Sequence, residues 1–104
     1  MTIESCRIDV WLWRARFAKS RSLAAAMVET GAIRLTHNGA QTRLDKPSRS
    51  VHPGDDVLFV QNGRVTAVRV LALGERRGPA QQARLLYEAS PAPAPDGPPP
   101  PDLR

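Results

Sequence analysis

The sequence predicts an α+β fold: two N-terminal helices packed on a small antiparallel sheet, followed by a short C-terminal helix. Three observations carry that reading. Apolar residues recur at helical spacing between residues 8 and 30. After Gly31 the period shifts to two, punctuated by two Asn-Gly pairs of the kind that close hairpins. The chain then ends in PAPAPDGPPPPDLR, whose prolines supply few backbone donors and favour extended geometry. One domain is therefore expected over residues 1–90, with a disordered tail over 91–104.

Residues 8–18, IDVWLWRARFA, hold no Gly or Pro and read as the first helix. At about 100° per residue, Ile8, Trp11, Leu12, Ala15 and Ala18 share one face, and Val10, Trp13 and Phe17 lie on the opposite one. Two apolar stripes require cover on both sides, or a ligand for the aromatics. Asp9 suits the helix start, as a cap or in the first turn.

The second helix is predicted over 21–30. Ser20 is its N-cap, Leu23, Ala24, Met27 and Val28 are its stripe, and Gly31 takes the left-handed position that ends it. Ile33 and Leu35 then alternate with Arg34 and Thr36 up to the Asn38-Gly39 turn. LDKPSRSV, residues 44–51, reads as loop because Pro47 supplies no backbone donor. Pro53-Gly54-Asp55 is a turn, 57–60 a strand, Asn62-Gly63 a second hairpin turn and 65–73 another strand. Pro79 fits the first turn of the last helix, where Ala83, Leu86 and Tyr87 share a face.

Charge is concentrated in one part of the chain. Residues 7–49 carry nine Lys or Arg against three acids, whereas residues 50–104 carry six of each. A segregated basic half points to a polyanion, with nucleic acid the first candidate. Cys6 is the only cysteine, which excludes an internal disulfide and fits a reducing cytoplasm. No apolar run approaches the ~18 residues of a membrane span, so no membrane partner is expected.

Lys19-Ser20-Arg21 admits two readings. It is a capped turn with solvated cations, or a phosphate clamp at a helix start with free N–H groups. Lys46, Ser48 and Arg49 form either an ordinary charged loop or a second basic surface. Arg14 and Arg16 flank the first helix, where they either pack their stems over the aromatics or reach RNA. Trp13 and Phe17 either stack bases or pack against the last helix. Asp9 reads as a cap or an arginine's ion-pair partner rather than an acid catalyst. Asp55-Asp56 reads as turn chemistry. His37 and His52 stand on separate loop-like stretches without a Cys or His at ligand spacing, so no metal and no cofactor is expected. No nucleophile–base pair or phosphate loop is legible, so no enzymatic activity is expected.

RIDVWLWRARFAKSRSLAAAMVETGAIRLTHNG resembles the S4 RNA-binding domain. The matching elements are Arg7-Ile8-Asp9, Leu12, Ser20-Arg21, Ala24, Gly31, Asn38-Gly39, Lys46-Pro47-Ser48 and Gly54-Asp55. The WLW run, the KSR turn and GERRGPAQQARLLYE are similar to one branch, the small ribosome-associated heat-shock S4 proteins of bacteria. Val10 stands where that branch usually has lysine, and the proline tail replaces a basic end. The resemblance covers residues 7–88 and implies an S4-like (alpha-L) fold. It also implies an RNA surface of Arg7, Lys19, Ser20 and Arg21, with Lys46, Ser48 and Arg49 as the opposite wall of the groove; Arg14 and Arg16 complete the candidate RNA-binding set on the reading in which they reach RNA. The implied partner is ribosomal RNA, on large subunits blocked with nascent chain after heat stress. A cytoplasmic monomer is expected. Alternatives are an accessory module of an RNA-modifying enzyme such as a pseudouridine synthase, and a helix-turn-helix that enters DNA.

Overall fold

The computed structural model describes residues 4–61 and 63–90. Strand β1 (Cys6–Arg7) leads directly into helix α1 (Ile8–Arg14), and helix α2 (Arg21–Glu29) follows. Strands β2 (Ile33–His37), β3 (Ala40–Leu44), β4 (Ser50–Val51), β5 (Asp56–Gln61) and β6 (Arg64–Val70) come next. The chain closes with helix α3 (Ala80–Ala83), a 3-10 turn (Arg84–Leu86) and strand β7 (Tyr87–Ala89). Five strands form one antiparallel sheet in the order β3-β2-β5-β6-β7, while β1 and β4 pair separately. The α+β order is as the sequence predicts. Asn62 and the tail 91–104 lie outside the described residues.

The two helices end differently. Ser20 caps α2 as expected, its Oγ accepting from the Leu23 N–H at 3.1 Å. Gly31 follows the helix at φ +79°, and its N–H reaches the Val28 carbonyl at 2.9 Å. α1 stops at Arg14, short of the predicted residue 18. Its end is a Schellman motif: the Phe17 N–H bonds the Leu12 carbonyl at 2.9 Å and the Arg16 N–H bonds that of Trp13 at 3.1 Å. The left-handed residue is Arg16, at φ +68°, in the place glycine usually takes. With no glycine to mark it, the end of the helix is invisible to a propensity reading.

The core lies between the helix pair and the sheet. Ile8, Trp11, Leu12, Ala15 and Ala18, the predicted stripe, are all buried. They meet Val28, Ile33, Leu44, Val57 and Phe59. Burying such side chains stabilises by about 1.5–3 kcal/mol each before entropy is counted. The Trp11 indole donates to the Ala72 carbonyl at 2.9 Å, so its one polar atom is satisfied. Phe17 rests against Phe59 and Tyr87 at ring-centroid distances of 5.0 and 4.6 Å. This is the packing alternative for Phe17 rather than base stacking.

Other boundaries move for identifiable reasons. β6 ends at Val70 instead of residue 73, because Leu71 and Ala72 turn their N–H groups to the Leu86 carbonyl and Ala72 receives Trp11. Tyr87 leaves the last helix to pair with Val70. Leu23, expected in the α2 stripe, is exposed, and Ala24 and Val28 carry the contact. Residues 44–51 are not wholly loop: Leu44 closes β3, and Ser50 and Val51 pair with Arg7 and Cys6. The first hairpin has an unbroken register, from Ile33 opposite Leu44 to His37 opposite Ala40, across left-handed Asn38 and Gly39.

Candidate nucleic-acid interface

Two basic surfaces flank the helix pair. The first begins with Arg7. Its Nε and Nη2 donate to the two carboxylate oxygens of Asp9 at 3.0 and 2.9 Å. This fork raises the arginine's pKa through the hydrogen bond and then the charge of Asp9. The guanidinium is about half exposed while the carboxylate is buried. A buried carboxylate thus fixes the direction of an outward cation. Asp9 fills its predicted role, and its Oδ1 also accepts from the Val10 N–H at 2.8 Å.

The loop after β3 is tied to the same place. The Arg49 carbonyl accepts from the Ile8 N–H at 2.8 Å, and the Pro47 carbonyl from Asp9 at 3.4 Å. A further bond from the Arg49 N–H to the Lys46 carbonyl, at 3.0 Å, tightens the loop. The Arg7–Ser50 pairing completes the join. The loop is therefore tied by its backbone beside Arg7, and the side chains of Lys46, Ser48 and Arg49 are exposed. Local sequence could not show this, since the partners stand some forty residues apart along the chain.

The second surface is the Lys19-Ser20-Arg21 turn. The three first N–H groups of α1 are consumed by the Arg49 and Pro47 carbonyls and by Asp9. At α2 the Ser20 Oγ takes only the Leu23 N–H, and no acid sits in the first turn. The Arg21 and Ser22 N–H groups have no partner within the helix. Lys19 and Arg21 are exposed beside them. Among the described residues, the side chains of Lys19, Arg21, Lys46 and Arg49 make no ion pair or hydrogen bond. Oriented N–H groups with two free cations are the chemistry of anion binding.

Arg14 and Arg16 point elsewhere. Arg14 Nη1 donates to the carbonyls of Gly74 at 2.8 Å and Leu73 at 3.4 Å, and its Nε is buried without a partner among the described residues. Arg16 Nε donates to the Gly78 carbonyl at 2.8 Å. From the other side, Arg77 Nε reaches the Trp13 carbonyl at 3.1 Å and its guanidinium lies 5.9 Å from the Trp13 ring centre. These three arginines strap the segment after β6 onto α1. Of the second apolar stripe, Trp13 is thus covered by Arg77, while Phe17 is covered by Phe59 and Tyr87.

Burial pushes the Cys6 thiol up, which lowers its thiolate fraction and its reactivity. The sequence reading missed one cluster. His37 and His52, on separate stretches of sequence, have rings 4.8 Å apart, and both face the carboxylate of buried Asp55. The β2–β5 pairing makes this neighbourhood, and no local spacing signals it.

Comparison with known proteins agrees with this geometry. The S4 domain family model matches residues 6–57. Heat shock protein 15 of Escherichia coli K12 is 42% identical over 82 residues, covering 79% of this chain and 58% of that protein. The heat shock protein 15 homolog of Haemophilus influenzae is 35% identical over 88 residues, covering 85% of this chain and 63% of its own length. The chain thus spans about three-fifths of the curated relatives it matches. The solved trimeric structure of Vibrio cholerae heat shock protein 15 superposes with a TM-score of 0.73 at 37% identity, covering 84% of this chain and 83% of that one. Among the described residues no helix is long and apolar enough to cross a membrane.

Proposed function

This chain belongs to the S4 RNA-binding domain family, and from that footing we propose that it is a non-enzymatic protein that grips structured ribosomal RNA by its phosphates. The observation that supports this best is the backbone junction that ties the Lys46–Arg49 loop beside Arg7, with Arg7 oriented by Asp9 and with Lys46 and Arg49 side chains exposed and unpaired among the described residues. Lys19, Ser20 and Arg21 add an anion site where α2 begins. In this reading Arg14 and Arg16 serve the interface by holding α1 and the segment after β6 in place. A-form RNA is read mainly by backbone shape, which suits rigid cations better than adaptable side chains.

The proposed partner is the large ribosomal subunit, in its blocked, nascent-chain-carrying form after heat stress. The heat shock names of the relatives support the stress context. Crosslinking in cells followed by sequencing of bound RNA tests the partner, and a signal concentrated at one large-subunit site is expected. Competition between RNA junctions and B-DNA of equal length, at two salt concentrations, tests the class of nucleic acid. Duplex DNA winning at the higher salt would overturn the RNA reading. Pseudouridine formed by the purified chain would overturn the non-enzymatic one. The chain is proposed to act as a monomer, and light scattering checks this against the trimer of the Vibrio cholerae protein.

A further inference from the structure

We propose that His37, His52 and Asp55 form a binding site for a zinc-class divalent cation. The proposal goes beyond RNA binding and stands without it.

The site is built from two separate stretches that the fold converges, the end of the first hairpin strand and the turn at 52–55. His37 ends β2, His52 follows β4, and Asp55 precedes β5. Asp55 is held by its backbone on both sides: its N–H bonds the His52 carbonyl at 3.0 Å, and its carbonyl accepts from Val70 at 2.8 Å. Its side chain is buried, with 3% exposed. One carboxylate oxygen meets His37 Nδ1 at 2.5 Å. The other accepts from the His52 N–H at 2.9 Å and lies 3.5 Å from His52 Nδ1.

Three features of this cluster fit a metal better than a simple hydrogen-bonded tie. First, the donor set is two imidazoles and a carboxylate, which borderline divalent ions favour. The three donor atoms lie within 4.8 Å of one another. Ligands at zinc bond lengths in a tetrahedron are separated by about 3.4 Å, so closing the site takes side-chain shifts on the order of 1 Å, with the exposed His37 ring backing away from Asp55 and the widest donor pair drawing together. Second, His52 Nδ1 is buried and makes no hydrogen bond among the described residues. Buried polar atoms of this kind call for a partner. Third, among the described residues both ion-pair partners of the buried Asp55 carboxylate are histidines. No lysine or arginine pairs with this carboxylate among the described residues, and a divalent cation between the three donors would complete the set.

Asp55 Oδ2 already accepts from a backbone N–H, which orients it as outer-shell bonds orient metal ligands. The protein supplies three ligands and leaves one position for water. Both imidazoles line a groove with Thr42, Ser48, Arg49 and Ser50, and that groove gives the ion its route in. A bound ion would also staple the first hairpin to the turn at 52–55.

The test uses the full chain stripped with chelator. Zn²⁺ titrated by calorimetry is expected to bind one equivalent with micromolar affinity or better. Co²⁺ is expected to give a tetrahedral visible spectrum without a thiolate charge-transfer band, which separates this site from Cys6. His37→Ala, at an exposed ring, is expected to weaken Zn²⁺ by about 10-fold or more. His52→Gln is expected to do the same, with circular dichroism confirming the fold of each variant. Zn²⁺ is expected to raise the thermal midpoint of the unmodified chain and not that of His37→Ala. No binding at micromolar Zn²⁺ overturns the proposal. So does binding that His37→Ala leaves unchanged, which would mean adventitious surface metal. RNA affinity is measured separately, so failure here does not touch the proposed function.

Discussion

Two groups of basic residues lie near α1 and differ in where their donors go. At the β1–loop junction and the Lys19–Arg21 turn, cations face solvent, and their own backbone or a buried carboxylate sets their direction. Beside the segment 73–78, Arg14, Arg16 and Arg77 face inward and donate to main-chain carbonyls. Both groups raise the net charge equally, so a charge census cannot tell them apart. What separates them is whether a carbonyl waits within reach. An arginine whose donors are spent on main-chain carbonyls is a strap, and a lysine or arginine with none spent is available to phosphate; Arg7 stands between the two, with Nε and one Nη2 donor on Asp9 and its half-exposed guanidinium still turned outward.

The largest test of that division removes two outward cations. Lys19→Ala with Arg21→Ala is expected to weaken RNA binding by about 10–100-fold at low salt and to flatten the salt dependence by about one to two phosphate contacts. Thermal stability should hardly change, because neither side chain makes a hydrogen bond or ion pair within the described structure. Filter binding across a salt series, with a melting curve beside it, reads both effects. Undiminished affinity in the double variant would place the anion site elsewhere.

The reciprocal change is Arg14→Ala. It deletes a charged donor to Gly74 and Leu73 and opens space beside Leu86, against which Gly74 packs. Unfolding in urea is expected to show a loss of about 2 kcal/mol. The salt slope of RNA binding should stay as it was. A flattened slope with normal stability would move Arg14 into the outward group, the other of the two readings its sequence position admits.

The sequence shows what is local and hides what is closed across the fold. The α1 stripe, the Ser20 cap, Gly31 and the Asn38-Gly39 turn are each written in adjacent residues, and each stands where the sequence predicts. At Gly31 the left-handed backbone is the constraint, since a Cβ there would meet only the movable end of the exposed Arg43 side chain. The KSR turn and the Lys46–Arg49 loop were legible as basic segments. Their geometry was not, because Arg7 pairs with Ser50, next to Arg49, in a two-residue ladder that no alternation announces. The inward turn of Arg14 and Arg16 depends on carbonyls some sixty residues on. The His37–His52–Asp55 cluster depends on strand order in the same way.

The smallest effect isolates the strap from the bend it sits on. Arg16 combines two roles, a left-handed backbone at φ +68° and a side-chain bond to Gly78. A left-handed conformation costs an L residue about 1–2 kcal/mol that glycine does not bear. Arg16→Ala keeps the strained backbone and loses the bond, so it is expected to destabilise by about 1 kcal/mol. Arg16→Gly loses the same bond but relieves the strain, so its midpoint in urea should lie within about 0.5 kcal/mol of the unmodified chain. The two variants remove the same charge. If the interface needed that charge, both would lose RNA affinity alike. If Arg16 is only a strap over the helix end, affinity stays level while stability separates alanine from glycine.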